Sequence, residues 1–219
     1  MKKSVYSLVL TDAVVEAADR MAYAKGTSRS ALIDEILARA LSCITPEMRM
    51  RDIFSALADL IQSDEVFRLQ GRASDSMMSL HSAIQYKYKP TIRYSVELYR
   101  RAQNGVFGEL KIQSRTQSAP LLRELAGFYE LWIATEHRLT GRKGQYFIED
   151  GRLVRRLSLP DGAELCTEAE LGEAIGFYIR TFDSAMKTYF ACLSDKYTAG
   201  KQVGHLYTNY MNTQEFLLL

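Results

Sequence analysis

Between Thr11 and Leu41 apolar residues recur at every third or fourth position, and this spacing predicts two helices. The first starts at Thr11 or Asp12, carries Val14, Ala17, Ala18 and Met21 on one face, reaches about Ala24 and is stopped by Gly26. Thr27 or Ser28 then caps a second helix to about Leu41, with Leu32, Ile33, Ile36, Leu37, Ala40 and Leu41 as its apolar set. Residues 4–10, Ser-Val-Tyr-Ser-Leu-Val-Leu, are rich in β-branched and aromatic side chains and read as one short strand. The first 42 residues therefore read strand, helix, tight turn, helix.

Thr45-Pro46 supplies an N-cap and a first-turn proline for a third helix that ends near Ser63. From Leu80 the period changes to two. Ile84, Tyr86, Tyr88, Ile92, Tyr94, Val96 and Leu98 alternate with Gln85, Lys87, Lys89, Arg93 and Glu97, which predicts strand. Pro90 has no N–H to give a ladder, so it marks either a turn between two strands or a bulge in an edge strand. Asn104-Gly105 tolerates the positive φ of a tight hairpin turn and leads into 108–113, completing a three-stranded antiparallel meander. A long helix from Ser118 and Pro120 to Gly141 presents Leu121, Leu122, Leu125, Phe128, Tyr129, Trp132 and Ile133 on one face. Residues 145–149 and 152–159 form a second hairpin about Asp150-Gly151, closed by Pro160-Asp161-Gly162. Thr167 and Glu170 make a capping box for a last long helix to about Leu193, and 196–219 carry no clear signal. The fold class is α+β, with residues 1–45 as one domain and 46–219 as a second.

The chain has 219 residues, 47% hydrophobic and 25% charged, which is enough apolar material for a buried core and excludes a disordered chain. Lys+Arg 28 against Asp+Glu 26 leaves a net charge of only +2, so contact with nucleic acid must rest on a local site. Cys43, Cys166 and Cys192 are odd in number and far apart, which supports neither a disulfide framework nor a zinc site and reads as three buried thiols in a reducing cytoplasm. The apolar run from Val5 to Leu10 is too short for a signal-peptide core or a membrane span, and Leu217-Leu218-Leu219 is no anchor.

The stretch Lys2-Lys3-Ser-Val-Tyr-Ser-Leu-Val-Leu10, with Thr11-Asp12 opening one helix and Gly26-Thr27-Ser28-Arg29-Ser30-Ala31-Leu32-Ile33 opening the next, resembles the ribbon-helix-helix regulators, the family of Arc, MetJ and the CopG repressors. About a fifth of the chain is covered. The resemblance implies an intertwined homodimer whose two strands form a ribbon in the major groove of double-stranded DNA, above four helices. It places Tyr6, Leu8 and Leu10 against the helices and Val5, Ser7 and Val9 toward the bases. Of these three, only Ser7 can hydrogen-bond a base edge, while the valines offer apolar contact to thymine methyls. Lys2 and Lys3 would reach phosphates, and the helix start at Thr27, Ser28, Arg29 and Ser30 would present backbone N–H groups and one charge to another. Residues 1–42 contain six basic and five acidic side chains, so the excess charge sits near that edge.

Other chemistry finds little footing. His81, His137 and His205 are isolated, which gives no metal site, and no phosphate loop, nucleophile elbow or hydrolase spacing occurs. No catalytic residue and no cofactor are expected. Tyr86-Lys-Tyr-Lys-Pro90 with Arg93, Tyr94, Tyr99, Arg100 and Arg101 mixes basic and aromatic residues that suit a ligand or single-stranded bases, but its alternation is that of a half-buried strand. The expected function is a sequence-specific transcriptional regulator, a repressor acting by promoter occlusion, with residues 46–219 oligomerising or sensing a small-molecule effector. The alternative is a partner- or ligand-binding module in 46–219 that the ribbon merely pairs. An antitoxin ranks third, because 46–219 read as folded rather than as a short disordered tail.

Overall fold

The computed structural model of the chain describes residues 5, 7–41, 43–71, 74, 76–142, 144–149, 151–159 and 166–213. It divides the chain into two units, Met1–Met48 and Arg49–Leu219, three residues beyond the division expected from the sequence. Taken together the described residues form an α+β protein with six helices and one six-stranded antiparallel sheet.

In the first unit the two expected helices form at α1 (Asp12–Lys25) and α2 (Arg29–Ala40). Gly26, at φ 64° and ψ 32°, ends α1 in the left-handed region that a Cβ disfavours. Its N–H and that of Thr27 return to the carbonyls of Tyr23 and Ala22. Ser28 caps α2, its Oγ accepting from the Ala31 N–H at 3.2 Å. The expected strand at 4–10 does not form among its described residues. A strand exists only through a partner's hydrogen bonds, and a single chain offers this one none. Leu8 and Leu10, expected against the helices, are consequently exposed together with Val5 and Val9.

Helix α3 (Pro46–Gln62), which belongs to the second unit from Arg49 on, leads to strands β1 (Arg68–Leu69), β2 (Met77–Ala83), β3 (Thr91–Gln103) and β4 (Val106–Ser114). Helix α4 (Ala119–Thr140), the hairpin β5 (Tyr146–Glu149) and β6 (Arg152–Ser158), and helices α5 (Glu168–Ala191) and α6 (Lys196–Thr213) complete it. The sheet order is β1-β2-β3-β4-β6-β5, so the meander and the second hairpin are parts of one sheet, joined by β4 and β6 with Lys111 opposite Val154. One open alternative is resolved and one short-range reading changes. Pro90 closes a turn rather than a bulge, and Tyr86 and Tyr88 stand in that turn instead of on a strand face, with Tyr88 89% exposed. Tyr88 and Lys89 hold positive φ there, 67° and 43°. The quiet segment after residue 195 is helical as far as Thr213, and Asp150 and 160–165 lie outside the described residues. The cysteines are less buried than expected: Cys43 is exposed in the link before α3, and Cys166 and Cys192 are half-buried at the two ends of α5.

Alternation gives the sheet two unlike faces. Leu80, Ile92, Tyr94, Val96, Leu98, Leu110, Ile112 and Leu153 are buried. The intervening positions carry Lys111 paired to Glu97 at 2.6 Å and Arg156 near Glu109 at 4.0 Å, the half-solvated pattern of antiparallel sheets. The core is strongly aromatic. Phe182 on α5 has Trp132 at 5.0 Å, Phe128 at 5.2 Å and Tyr94 at 6.3 Å between ring centroids, all near-perpendicular, so one side chain links α4, α5 and β3. Tyr207 brings α6 in, 5.1 Å from Trp132. Helix α5 approaches α3 so closely that a Cβ on Gly172 would stand 2.4 Å from the Ile53 carbonyl oxygen.

Two charges are sealed into this core. Glu136 on α4 is 4% exposed and Arg155 on β6 is 5% exposed. Arg155 Nη2 donates to Glu136 Oε1 at 2.7 Å, and the Tyr178 hydroxyl donates to Oε2 at 3.0 Å while accepting from Trp132 Nε1 at 2.7 Å. The Arg155 guanidinium lies over the Tyr178 ring at 3.9 Å in a cation–π contact, while its buried Nε and Nη1 have no hydrogen-bond partner among the described residues. Burial drives the Tyr178 phenol far above its ordinary pKa, so it remains a donor to the carboxylate.

Arg155→Met is expected to cost about 3–5 kcal/mol, because it strands Glu136 in the core, whereas the double variant Arg155→Met/Glu136→Leu should recover much of that loss. Chemical denaturation of the three proteins checks this, and equal stability of single and double variants would contradict it. Gly172→Ala should cost about 1–3 kcal/mol through overpacking against Ile53 and lower Tm in calorimetry, at roughly 2–4 °C per kcal/mol.

Candidate nucleic-acid interface

The residues expected to face DNA are two short stretches of the first unit, one before α1 and one opening α2. Lys2 and Lys3 lie outside the described residues, as does Tyr6. Val5 and Val9 are fully exposed, Ser7 is exposed between them, and Thr11 follows in extended conformation with no side-chain cap on α1. Leu8 and Leu10, on the alternate positions, are exposed as well, less fully than the valines.

At α2 the loop chemistry is more definite. The Thr27 N–H is spent on the Ala22 carbonyl and the Ala31 N–H on Ser28 Oγ, which leaves the N–H groups of Arg29 and Ser30 as outward donors at the positive end of the helix. Thr27, Ser28, Arg29 and Ser30 are all exposed. The Arg29 guanidinium is engaged: its Nε and Nη2 donate to the two carboxylate oxygens of Asp19 on α1, both at 2.5 Å. Along the sequence Arg29 stands as a free charge, because ten residues and a turn separate it from this partner. The bidentate contact ties the start of α2 to the middle of α1 and lowers the positive potential at the proposed phosphate position.

Apolar exposure is concentrated here. Of eighteen large apolar side chains that are exposed among the described residues, eleven lie between Val5 and Ile44, including Leu8, Val14, Met21, Ile36, Leu37 and Leu41. Buried apolar residues in the same stretch are Ala22, Leu32 and Ala38. The segment thus carries the amphipathic periodicity of a core without the area to bury it.

Other sequence candidates are distributed elsewhere. Among the described residues no group of three or more His, Cys, Asp or Glu is placed to hold a metal ion. Glu136, beside His137 in sequence, is the carboxylate buried against Arg155, and His137 sits in the last turn of α4. Tyr94, expected on an apolar face, is buried and donates from its hydroxyl to Asp183 at 2.9 Å. Among the described residues no helix is long and apolar enough to cross a membrane. No family model matches the chain, and neither a curated protein nor a solved structure is significantly similar to it.

The two polar devices at the start of α2 should differ in energetic weight. Ser28→Ala removes a cap and is expected to cost about 1 kcal/mol of helix stability. Asp19→Ala removes an exposed ion pair and should cost no more than about 1 kcal/mol, falling toward zero as salt screens it. Thermal melts followed by circular dichroism at low and high salt separate them, since only the second loss depends on ionic strength.

Proposed function

We propose that the chain is a DNA-binding transcriptional regulator that acts as a homodimer, with the segment around residues 4–10 completing an antiparallel two-stranded ribbon across a dyad. The observation that carries this reading is the combination, in one short stretch, of an exposed segment with a strand-like sequence, two amphipathic helices and, among the described residues, eleven exposed apolar side chains. A second copy supplies both missing parts: a strand edge for residues 4–10 and an apolar surface for Leu8, Leu10 and the open faces of α1 and α2. The dimer is then a condition of folding for this unit.

In such a dimer Val5, Ser7 and Val9 of both copies project from one face of the ribbon, a shape that fits the major groove. Ser7 reads a base edge and the valines read thymine methyls. Lys2 and Lys3 meet phosphates beside the ribbon, and the Arg29 and Ser30 N–H groups meet another at the start of α2. A phosphate arriving there competes with Asp19 for the Arg29 guanidinium. Bound over a promoter, the dimer represses by occlusion, and the second unit contributes oligomerisation or control.

A second reading gives the first unit pairing alone and the activity to the second unit. It is favoured by the Arg29–Asp19 pairing and by the two apolar side chains among the three outward positions.

Fluorescence anisotropy against a pool of genomic fragments at several salt concentrations tests the proposal. Selective binding is expected, with a steep fall in affinity as salt rises. Lys2→Ala/Lys3→Ala should weaken binding across all sequences and reduce the salt slope by about one for each phosphate that is no longer neutralised, and Ser7→Ala should relax selectivity. Deletion of residues 1–10 should abolish both binding and the dimer seen in sedimentation equilibrium. A dimer that survives with no selective DNA binding would establish the second reading.

A further inference from the structure

At one end of the sheet the β2–β3 turn, the start of β3, the end of β4 and the first turn of α4 enclose a cleft of about 650 Å³, within the roughly 300–1,000 Å³ range of small-molecule sites. Its charge is one-sided. Lys87, Arg93 and Arg115 all line it, with His81, and no carboxylate does. Four basic side chains elsewhere in the second unit are each paired with a carboxylate: Lys111 with Glu97, Arg152 with Glu149, Arg155 with Glu136 and Arg180 with Asp64. Lys87, Arg93 and Arg115 have no carboxylate partner among the described residues. Arg93 is oriented instead by the Ser95 hydroxyl, which accepts from its Nε at 3.1 Å.

Three further features point into the same space. Helix α4, 22 residues long, begins here, and its N-cap residue Ser118 lines the cleft with a side chain that caps nothing in the chain. His81 lies opposite Arg93 in the β2–β3 register, and burial first, then the charges of Arg93 and Arg115, hold its imidazole below the ordinary pKa. Tyr88 also lines the cleft, 89% exposed with Lys87 Nζ 5.1 Å from its ring centroid, on a backbone at φ 67° that a non-glycine residue adopts at some cost. The turn carrying it is held by the Lys89 N–H donating to the Tyr86 carbonyl at 2.8 Å, while the Tyr86 ring packs edge-on against Phe190 at 5.6 Å.

We propose that this cleft binds a small phosphorylated molecule carrying a planar ring, with Arg93, Arg115, Lys87 and the start of α4 around the phosphoryl group and Tyr88 against the ring. Three cations, a helix N-terminus and the hydroxyls of Ser114 and Ser118 match a dianion with three acceptor oxygens better than a single carboxylate. An uncompensated cationic cluster in a partly enclosed cleft is an electrostatic cost in the free protein that such an anion removes. The site lies within the second unit and is independent of any role of the first in binding DNA.

The test is isothermal titration calorimetry and thermal shift on the full chain with inorganic phosphate, phenyl phosphate, adenosine 5′-monophosphate and adenosine. Phenyl phosphate and the mononucleotide are expected to bind and raise Tm, inorganic phosphate to bind more weakly, and adenosine to bind at least about tenfold more weakly than its phosphate. Arg115→Gln, at an exposed position, should weaken the phosphates about tenfold or more and leave the Tm of the free protein unchanged or higher. Tyr88→Gly removes the ring and relieves the backbone, so it should lower affinity for the ring-bearing phosphates while sparing inorganic phosphate. The proposal is overturned by no binding of any phosphate up to about 10 mM, well above a millimolar Kd. It also fails if adenosine matches its phosphate, if binding survives Arg115→Gln, or if a single-stranded oligonucleotide binds at the cleft while the small phosphates do not.

Discussion

The second unit depends on a charged pair being held inside an aromatic core. Glu136 and Arg155 come from a helix and a strand nineteen residues apart, and their removal from water is offset by a donor on each carboxylate oxygen and by the Tyr178 ring under the guanidinium. The donors are placed by the packing: Tyr178 is aimed at Glu136 while its ring lies under the guanidinium, and Trp132 fixes the Tyr178 hydroxyl from the other side. Phe182, next along the same face of α5, ties that cluster to Tyr94 and hence to the sheet. The pair therefore specifies how α4, α5 and β6 meet, since any other register would leave a charge unpaired in the interior.

The first unit has the opposite problem. Its local signals are strong and agree with one another: Ser28 and Gly26 terminate the helices where the periodicity says they should, and Asp19 joins α1 to α2 through Arg29. Yet the periodic apolar faces remain open, because some forty residues in two short helices enclose too little volume to cover them. In the proposed homodimer, a dyad-related strand and helix pair would cover these faces. The pairing of Arg29 with Asp19 makes any phosphate contact at α2 an exchange of partners rather than a simple capture.

The two functional readings draw on different physics within one chain. The first unit lacks strand partners and apolar cover. The cleft instead has an excess of charge, with cations gathered at one end of a sheet on which Lys111 and Arg156 stand beside carboxylates. The β2–β3 turn that carries Lys87 and Tyr88 is also where the backbone departs from ordinary conformations, at Tyr88 and Lys89.

What the sequence determined by itself was everything written in short-range periodicity and turn chemistry. Five helices, the Asn104-Gly105 turn with φ 51° and 78°, the capping box at Thr167 and Glu170, and the inward set Ile92, Tyr94, Val96 and Leu98 are all local. The two-residue β1, the helix at 196–213 with its weak polar-apolar contrast, and the turn at Pro90 were not legible, because Tyr86 and Tyr88 imitate strand alternation. Tertiary structure alone decided that both hairpins share one sheet through β4 and β6, that Glu136 finds Arg155, and that Asp19 takes Arg29. It also gathered His81, Arg93, Arg115 and Ser118 around one cleft from four separate positions in the chain. Pairings of this kind depend on distance in space, and a pattern read along the chain carries no information about which solvated cation will be left without a counter-charge.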